Sequence, residues 1–369
     1  MIRWTVNMVK NVFLLVLTIF IGLHVFVTPS VAVSPPSPSA IQAILIEAES
    51  GRVLFEKDAH SEQRIASITK IMTAHLGVKH GNLNDLVTIS AAASTTEGSS
   101  LYLKAGQKVT LNDLLYGLML RSGNDSAVAI AEHISGSVEE FSKLMNKEAK
   151  RLGMKNSHFT NPHGLDLDDQ HYSSAYDMAL LTREAMRDDT FKTIFGTKSH
   201  RAESIEPNPV WGNKHRLVNG MYPHTSGGKT GFTKLAGRTL VTSANHNNMS
   251  LIAVTLRASN DWNDHMSLFE YGFHTYENKQ ILFPGTLPPF PGQSATEQYT
   301  LVNGFNYPLT KEESTSLIIL ARLSPDKDQS SKVLVKMGDK ILYEEPLIKE
   351  YREAEPSWWQ NFIKKIQFW

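Results

Sequence analysis

The 369-residue chain contains no cysteine. That excludes disulfides, thiolate metal sites and cysteine nucleophiles, and it suits a chain that works outside the cell without redox help. An excess of one charge is missing too: Lys and Arg together number 37, as do Asp and Glu. No global field therefore draws the protein to nucleic acid. The histidines show no His-Glu-x-x-His or similar ligand spacing, so neither a metal nor a cofactor is expected. No internal repeat occurs, and low complexity is confined to one Pro-rich stretch.

What is present begins with a targeting pattern. Arg3 and Lys10 precede the run from Val12 to Val27, VFLLVLTIFIGLHVFV. At about 16 residues it fits the core of an export signal better than a full membrane span. Ser30-Val31-Ala32 then supplies small residues for cleavage, and VSPPSPSA follows as a stiff spacer. Residues 1–32 are expected to be a signal peptide and 33–40 a spacer, with an uncleaved anchor as the alternative. The expected location is the outer face of the cytoplasmic membrane or the cell wall space.

A chain of this length suggests one large domain and a smaller one. Apolar runs at Ile41–Ile46 and Val53–Phe55 flank Glu49-Ser50-Gly51-Arg52, a hairpin signal. Helical periodicity follows from Ala66, and again over Leu111–Leu120, Ala127–Ile134, Ser142–Leu152 and Ala175–Met186. RTLVTSA and SLIAVTLR then flank a polar Asn-rich turn and read as two antiparallel strands. The expectation is an α+β domain over 41–280, an antiparallel sheet covered by helices. A Pro/Gly break near Phe283 opens a small β-rich module, 281–352. In EPSWWQNFIKKIQFW, Trp358, Phe362, Ile366 and Trp369 share one stripe, with Lys364 and Lys365 beside it. A membrane-associating amphipathic helix over 355–369 is therefore expected, docking on a neighbouring domain being the alternative.

Three short motifs carry the chemistry. In ASITKIMTA, Ser67 and Lys70 stand at i and i+3, so a helix beginning there brings hydroxyl and ammonium together. A serine needs a partner to take its proton, and a lysine can do so only when neutral. Taken alone, the pair is also what a helix cap and a solvent-facing lysine look like. The second motif, LRSGND, places Ser122 and Asn124 in a tight loop between two apolar helices, where Asp125 reads as the cap of the second. The third, GGKTGFT, puts Lys229 and Thr230 after paired glycines that let a strand backbone approach a ligand. It lacks the earlier glycine and following helix of a phosphate-binding loop.

S-x-x-K, S-x-N and K-T-G in this order resemble the penicillin-recognising serine acyl-transferases. RIASITKIMTA, LMLRSGNDSAVAIAEHISG, GMKNSHFTNPHGL and GGKTGFTKLAGRTLVTSA are similar to the low-molecular-mass D-alanyl-D-alanine carboxypeptidases, over roughly Ala40 to Tyr276. KTGFTKLAGRTLV and NDWNDHM look most like the sporulation-associated members of that family.

The resemblance implies a substrate, peptidoglycan stem peptides ending in D-Ala-D-Ala, and covalent inhibition by β-lactams. It implies Ser67 as nucleophile, Lys70 as base and Ser122 as proton relay. Asn124 would position Lys70 and the peptide, while Lys229 and Thr230 would hold the carboxylate. Gly231 and Phe232 would line the site, with the backbone N–H groups of Ser67 and Phe232 as oxyanion hole. His163 and the Asp166–Asp169 cluster read as loop structure. The alternatives are a β-lactamase, an endopeptidase or transpeptidase, and a non-catalytic penicillin sensor. No E-x-x-L-N-like stretch between Gly153 and Met178 supplies a lactamase glutamate.

Overall fold

The computed structural model describes residues 34–290, 293–294, 297–324 and 331–351; the expected signal peptide and the expected helix over 355–369 lie outside the described residues. Strands β1 (Gln42–Glu47) and β2 (Val53–Lys57) form the first hairpin. Its turn is held by the Glu47 carboxylate, which accepts the N–H groups of Glu49 and Ser50, and by Gly51 at φ 74°. Three later strands complete one antiparallel sheet: β3 (Thr225–Thr233), β4 (Gly237–His246) and β5 (Met249–Leu256). The order is β2-β1-β5-β4-β3, so the chain's two ends of the sheet are zipped together along β1 and β5, and β3 lies at an edge.

Period-two alternation assigns the faces. Ile44, Ile46, Ile252 and Val254 pack against the helical body, while Leu45, Leu251 and Ala253 pack against a helix on the opposite face. At the centre of the body is α1 (Lys70–His80), reached through a 3₁₀ turn, Ala66–Thr69. Every residue from Lys70 to Gly77 is buried. A helix enclosed on all sides needs little polar face, which explains its weak amphipathicity. Around it stand α2 (Asn124–Ser135), α3 (Val138–Leu152) and α4 (Ala175–Ala185). In α3 the periodicity is plain: Phe141, Met145 and Ala149 are buried, Ser137 caps the first turn through Glu140 N, and Gly153 ends it at φ 75°.

The opposite face is covered by α5 (Asp261–Thr275), whose Leu268 and Phe269 meet Leu45 and Leu251. Sequence periodicity does not single this helix out, because its buried stripe is narrow and interrupted by Asp264 and His265, both themselves buried. Short helices at Ala91–Ser94 and Asp189–Gly196 are likewise absent from the expectation.

After α5 the described chain is built of strands, beginning with β6 (Glu277–Leu282), which pairs with Phe305–Leu309. Its apolar side chains, among them Leu282, Tyr299, Leu301, Val333 and Val335, form a cluster of their own. Arg52, from the first hairpin, ties the two regions. Its guanidinium donates to Pro308 O and to Glu313 Oε1, each at 2.5 Å, and lies about 5 Å over the rings of Tyr276 and Tyr307.

Candidate active site

Ser67 lies in the 3₁₀ turn and Lys70 opens α1, so the turn brings their side chains together with Nζ 3.0 Å from Oγ. The turn is set by its neighbours. Thr69 Oγ1 donates to Ala66 O at 2.8 Å, Thr239 Oγ1 of β4 donates to Ile65 O at 2.9 Å, and Ala66 itself is held at φ 48°. That left-handed value is costly for a residue with a Cβ. Gly164 packs against the same turn. A Cβ there would stand 1.9 Å from Ala66 O, and its φ of 85° independently requires glycine.

Lys70 is wholly buried. Its ammonium donates to Ser67 Oγ, to Asn124 Oδ1 at 2.7 Å and to the backbone carbonyl of His163 at 2.7 Å. No carboxylate accepts from it among the described residues. Burial holds its pKa well below the usual lysine value, and the cations Lys229 and Lys214 push it the same way. Asn124 is fixed in turn by its amide, which donates to Glu97 O at 2.6 Å.

Ser122 follows a widened, π-helical turn, Gly117–Arg121, and adopts φ 65°. This kink aims its hydroxyl at Lys229 Nζ, 3.1 Å away. Lys229, on β3, is buried and donates also to Thr230 O at 2.7 Å. Burial, aided by Lys214, lowers its pKa to about 7. The ammonium thus faces Ser122 rather than solvent, while Thr230, half-buried, borders the cleft and Phe232 is the exposed residue of this strand.

Gly231 explains why β3 can pass so near the serine. A Cβ there would lie 2.3 Å from Thr239 Oγ1 and 2.9 Å from Ser67 N. The resulting cleft, about 330 Å³, is lined by Ser67, Ser122, Thr230, Gly231 and Phe232. All eight residues singled out from sequence therefore lie in or directly behind one cleft.

Other expectations change. Asp125 does not cap α2; Gly123 occupies that position without a side-chain bond. The Asp125 carboxylate instead accepts from Ser100 Oγ and the N–H groups of Leu101 and Leu103, pinning the preceding loop. The His163 ring is buried, its pKa lowered to about 3 by burial, and Nδ1 accepts from Leu165 N. What reaches the centre is its carbonyl, which no side-chain motif reveals. Asp166 and Asp169 pair with Arg64. No group of three side chains suited to a metal occurs among the described residues.

Sequence reasoning missed Lys214, Arg238, Asp261 and Trp262, which line the outer cleft. Arg238 donates to Asp261 Oδ1 at 2.7 Å and lies over the Trp262 ring. Arg238 lies within KTGFTKLAGRTLV and Asp261 and Trp262 within NDWNDHM, stretches that carry the resemblance but gave these side chains no role, and Lys214 belongs to no motif. Lys214 is delivered by a backbone bond to Leu120 O, a contact between segments far apart in sequence.

A family model described as D-alanyl-D-alanine carboxypeptidase matches residues 30–260. The chain is 35% identical to D-alanyl-D-alanine carboxypeptidase DacF of Bacillus subtilis, over 82% of this chain and 77% of the relative. It is 37% identical to D-alanyl-D-alanine carboxypeptidase DacC of Escherichia coli, over 68% and 66% respectively. Among solved structures, penicillin binding protein 5 of Haemophilus influenzae superposes with a TM-score of 0.72 at 29% identity, covering 87% of this chain and all of that one. Penicillin binding protein 6B of Escherichia coli gives 0.69 at 28%, covering 86% and 97%.

Gly231→Ala should lower the rate of covalent labelling by penicillin about 100-fold, because the methyl group displaces the Ser67 N–H from the cleft. Stopped-flow acylation alongside circular dichroism checks this; undiminished labelling of a folded variant would sink it.

Proposed function

This chain belongs to the D-alanyl-D-alanine carboxypeptidase family of serine peptidases, and we propose that it removes the terminal D-Ala of peptidoglycan stem peptides with Ser67 as nucleophile. The observation that carries this assignment is the 3.0 Å contact between Ser67 Oγ and a buried Lys70 held among neutral acceptors. Neutral Lys70 takes the hydroxyl proton as Oγ attacks the penultimate D-Ala carbonyl. Backbone N–H groups of Ser67 and Phe232 receive the oxyanion, a contribution of about 3–4 kcal/mol per donor. Lys70 passes that proton through Ser122 to the departing D-Ala nitrogen as the C–N bond breaks, which leaves Lys70 neutral again. Water then attacks the ester, giving its proton to Lys70, which hands it to the departing Ser67 Oγ.

Lys229 acts from behind this relay. Its charge orients Ser122 and, with Thr230, favours a substrate ending in a carboxylate. Asn124 holds Lys70 and borders the peptide. The loop carrying His163 offers Lys70 a carbonyl and no carboxylate, which favours a slowly hydrolysed penicilloyl ester over lactamase behaviour. A transpeptidase would share every step except the acceptor.

We also read the chain as exported, with residues 281–352 as a separate β-rich domain; the separate apolar cluster supports this division. The likeness to DacF supports a sporulation-stage use, which a time course of expression separates from vegetative use. Peripheral membrane contact is assigned to the C-terminal stretch from Glu355 to Trp369 on its sequence alone. No helix among the described residues is long and apolar enough to cross a membrane.

Three measurements test these readings. Ser67→Ala should abolish both penicillin labelling and D-Ala release without unfolding; normal release from that variant refutes the nucleophile. Lys214→Ala removes a cation that depresses both Lys70 and Lys229, so both pKa values rise. Acylation needs neutral Lys70, which exists only above its pKa, so the acid limb of the pH–rate profile should move to higher pH. A limb that stays or moves down contradicts the electrostatic account. Truncation before Pro356 should release the protein from anionic vesicles in flotation, and full retention would assign the contact elsewhere.

A further inference from the structure

A second cleft, about 670 Å³, opens at the other end of the sheet. It is lined by the β4–β5 turn, by β6, by the strand Phe305–Leu309 and by Glu49. Six carboxamides line it: Asn278, half-buried, and the exposed Asn245, Asn247, Asn248, Gln280 and Asn306. No lysine or arginine lines it. Asn278 Nδ2 donates to Asn248 O at 2.8 Å and leaves a buried Oδ1 without a partner. The side chains of Asn245, Asn247, Gln280 and Asn306 make no hydrogen bond among the described residues.

Beyond the Asn278 bond and the turn, the fold does not require these amides. Strand pairing here uses backbone groups, and only the turn residues Asn247 and Asn248, at φ 49° and 57°, have a conformational reason to be asparagine. A carboxamide presents a donor pair and an acceptor side by side, which matches the hydroxyl and acetamido groups of a sugar. Lacking a cation, the cleft has no attraction for phosphate or carboxylate. Glu49 adds a carboxylate that accepts from hydroxyls and repels anions. His246, packed against His224 and Phe273, supplies an aromatic wall.

We propose that this cleft binds a neutral N-acetylated hexosamine saccharide, the glycan strand that carries the stem peptides. The assignment rests on the reading of the Ser67 site as a D-alanyl-D-alanine carboxypeptidase. From Thr239, which touches the Ser67 turn, Asn245 lies six residues along β4, roughly 20 Å at the rise of an extended strand. The two clefts therefore do not overlap. The second one raises the enzyme's concentration on the polymer and leaves its action on a short peptide unchanged.

The test uses the full chain and a double variant, Asn245→Ala with Asn306→Ala, whose side chains hold no bond that folding depends on. Wild type should bind a chitin tetrasaccharide saturably in calorimetry and ignore maltotetraose. The variant should lose that binding, keep its melting temperature and its turnover of a D-Ala-D-Ala tripeptide, and release D-Ala from intact sacculi at least about tenfold more slowly. Absence of saturable chitin binding by wild type, equal binding of maltotetraose, or unchanged sacculus activity of the variant each overturns the proposal. Failure of wild type to turn over the tripeptide would overturn the carboxypeptidase reading instead, and the calorimetry is read independently of it.

Discussion

Two lysine amines are buried here without a carboxylate partner, and the active-site architecture is organised around the cost of charging them. Taking such a charge out of water costs several kcal/mol even after relaxation. Lys70 meets the cost with a hydroxyl, an amide oxygen and a carbonyl; Lys229 meets it with a hydroxyl and a carbonyl. Such acceptors stabilise an ammonium less than a carboxylate does, so burial dominates and both pKa values fall. Each lysine is thereby paired with one serine, Lys70 with Ser67 and Lys229 with Ser122. The second pair crosses from sheet to helical body, so docking of these two layers is a precondition for the chemistry.

Backbone conformation enforces the same arrangement. Ala66 and Ser122 are non-glycine residues in the left-handed region, one beside Ser67 and the other itself a site hydroxyl. Such conformations cost about 1–3 kcal/mol each and persist only where the surroundings over-determine them. Here the surroundings do: Thr69, Thr239 and Gly164 hold the first, and Lys229 and the Gly117–Arg121 turn hold the second. Stability spent on strain and buried charge is recovered in the core that wraps α1, where local rules of packing are obeyed throughout.

Much of this is legible in the sequence because each motif is local. Serine and lysine three apart, Ser122 and Asn124 around a glycine, and Lys229 before Thr230 and Gly231 each encode a short conformation together with its reactive groups. The first hairpin and the amphipathic α3 announce themselves through turn residues and periodicity, although α3 begins at Val138, a turn ahead of the expected Ser142. What stays hidden is non-local. Lys214 enters through a bond to Leu120 O, the His163 carbonyl has no side-chain signature, and Asp125, in the first turn of its helix, gives most of its carboxylate bonds to the preceding loop. The helix α5 escapes because buried Asp264 and His265 are satisfied by partners distant in sequence, Ser39 and Thr242 among them.

The same contrast separates the two kinds of serine acyl enzyme that these motifs serve. What distinguishes fast from slow deacylation is the group that prepares water, and this depends on the loop facing Lys70. Asn161 folds that loop by accepting the N–H groups of His163 and Gly164, which turns the His163 carbonyl toward Nζ. A carbonyl accepts a proton's hydrogen bond but never the proton itself. On the proposed mechanism Lys70, the group that would activate Ser67, is then also the nearest base for the second half-reaction. An acyl group that displaces the water from Lys70 would be long-lived, while a peptide acyl group that leaves room for it would turn over.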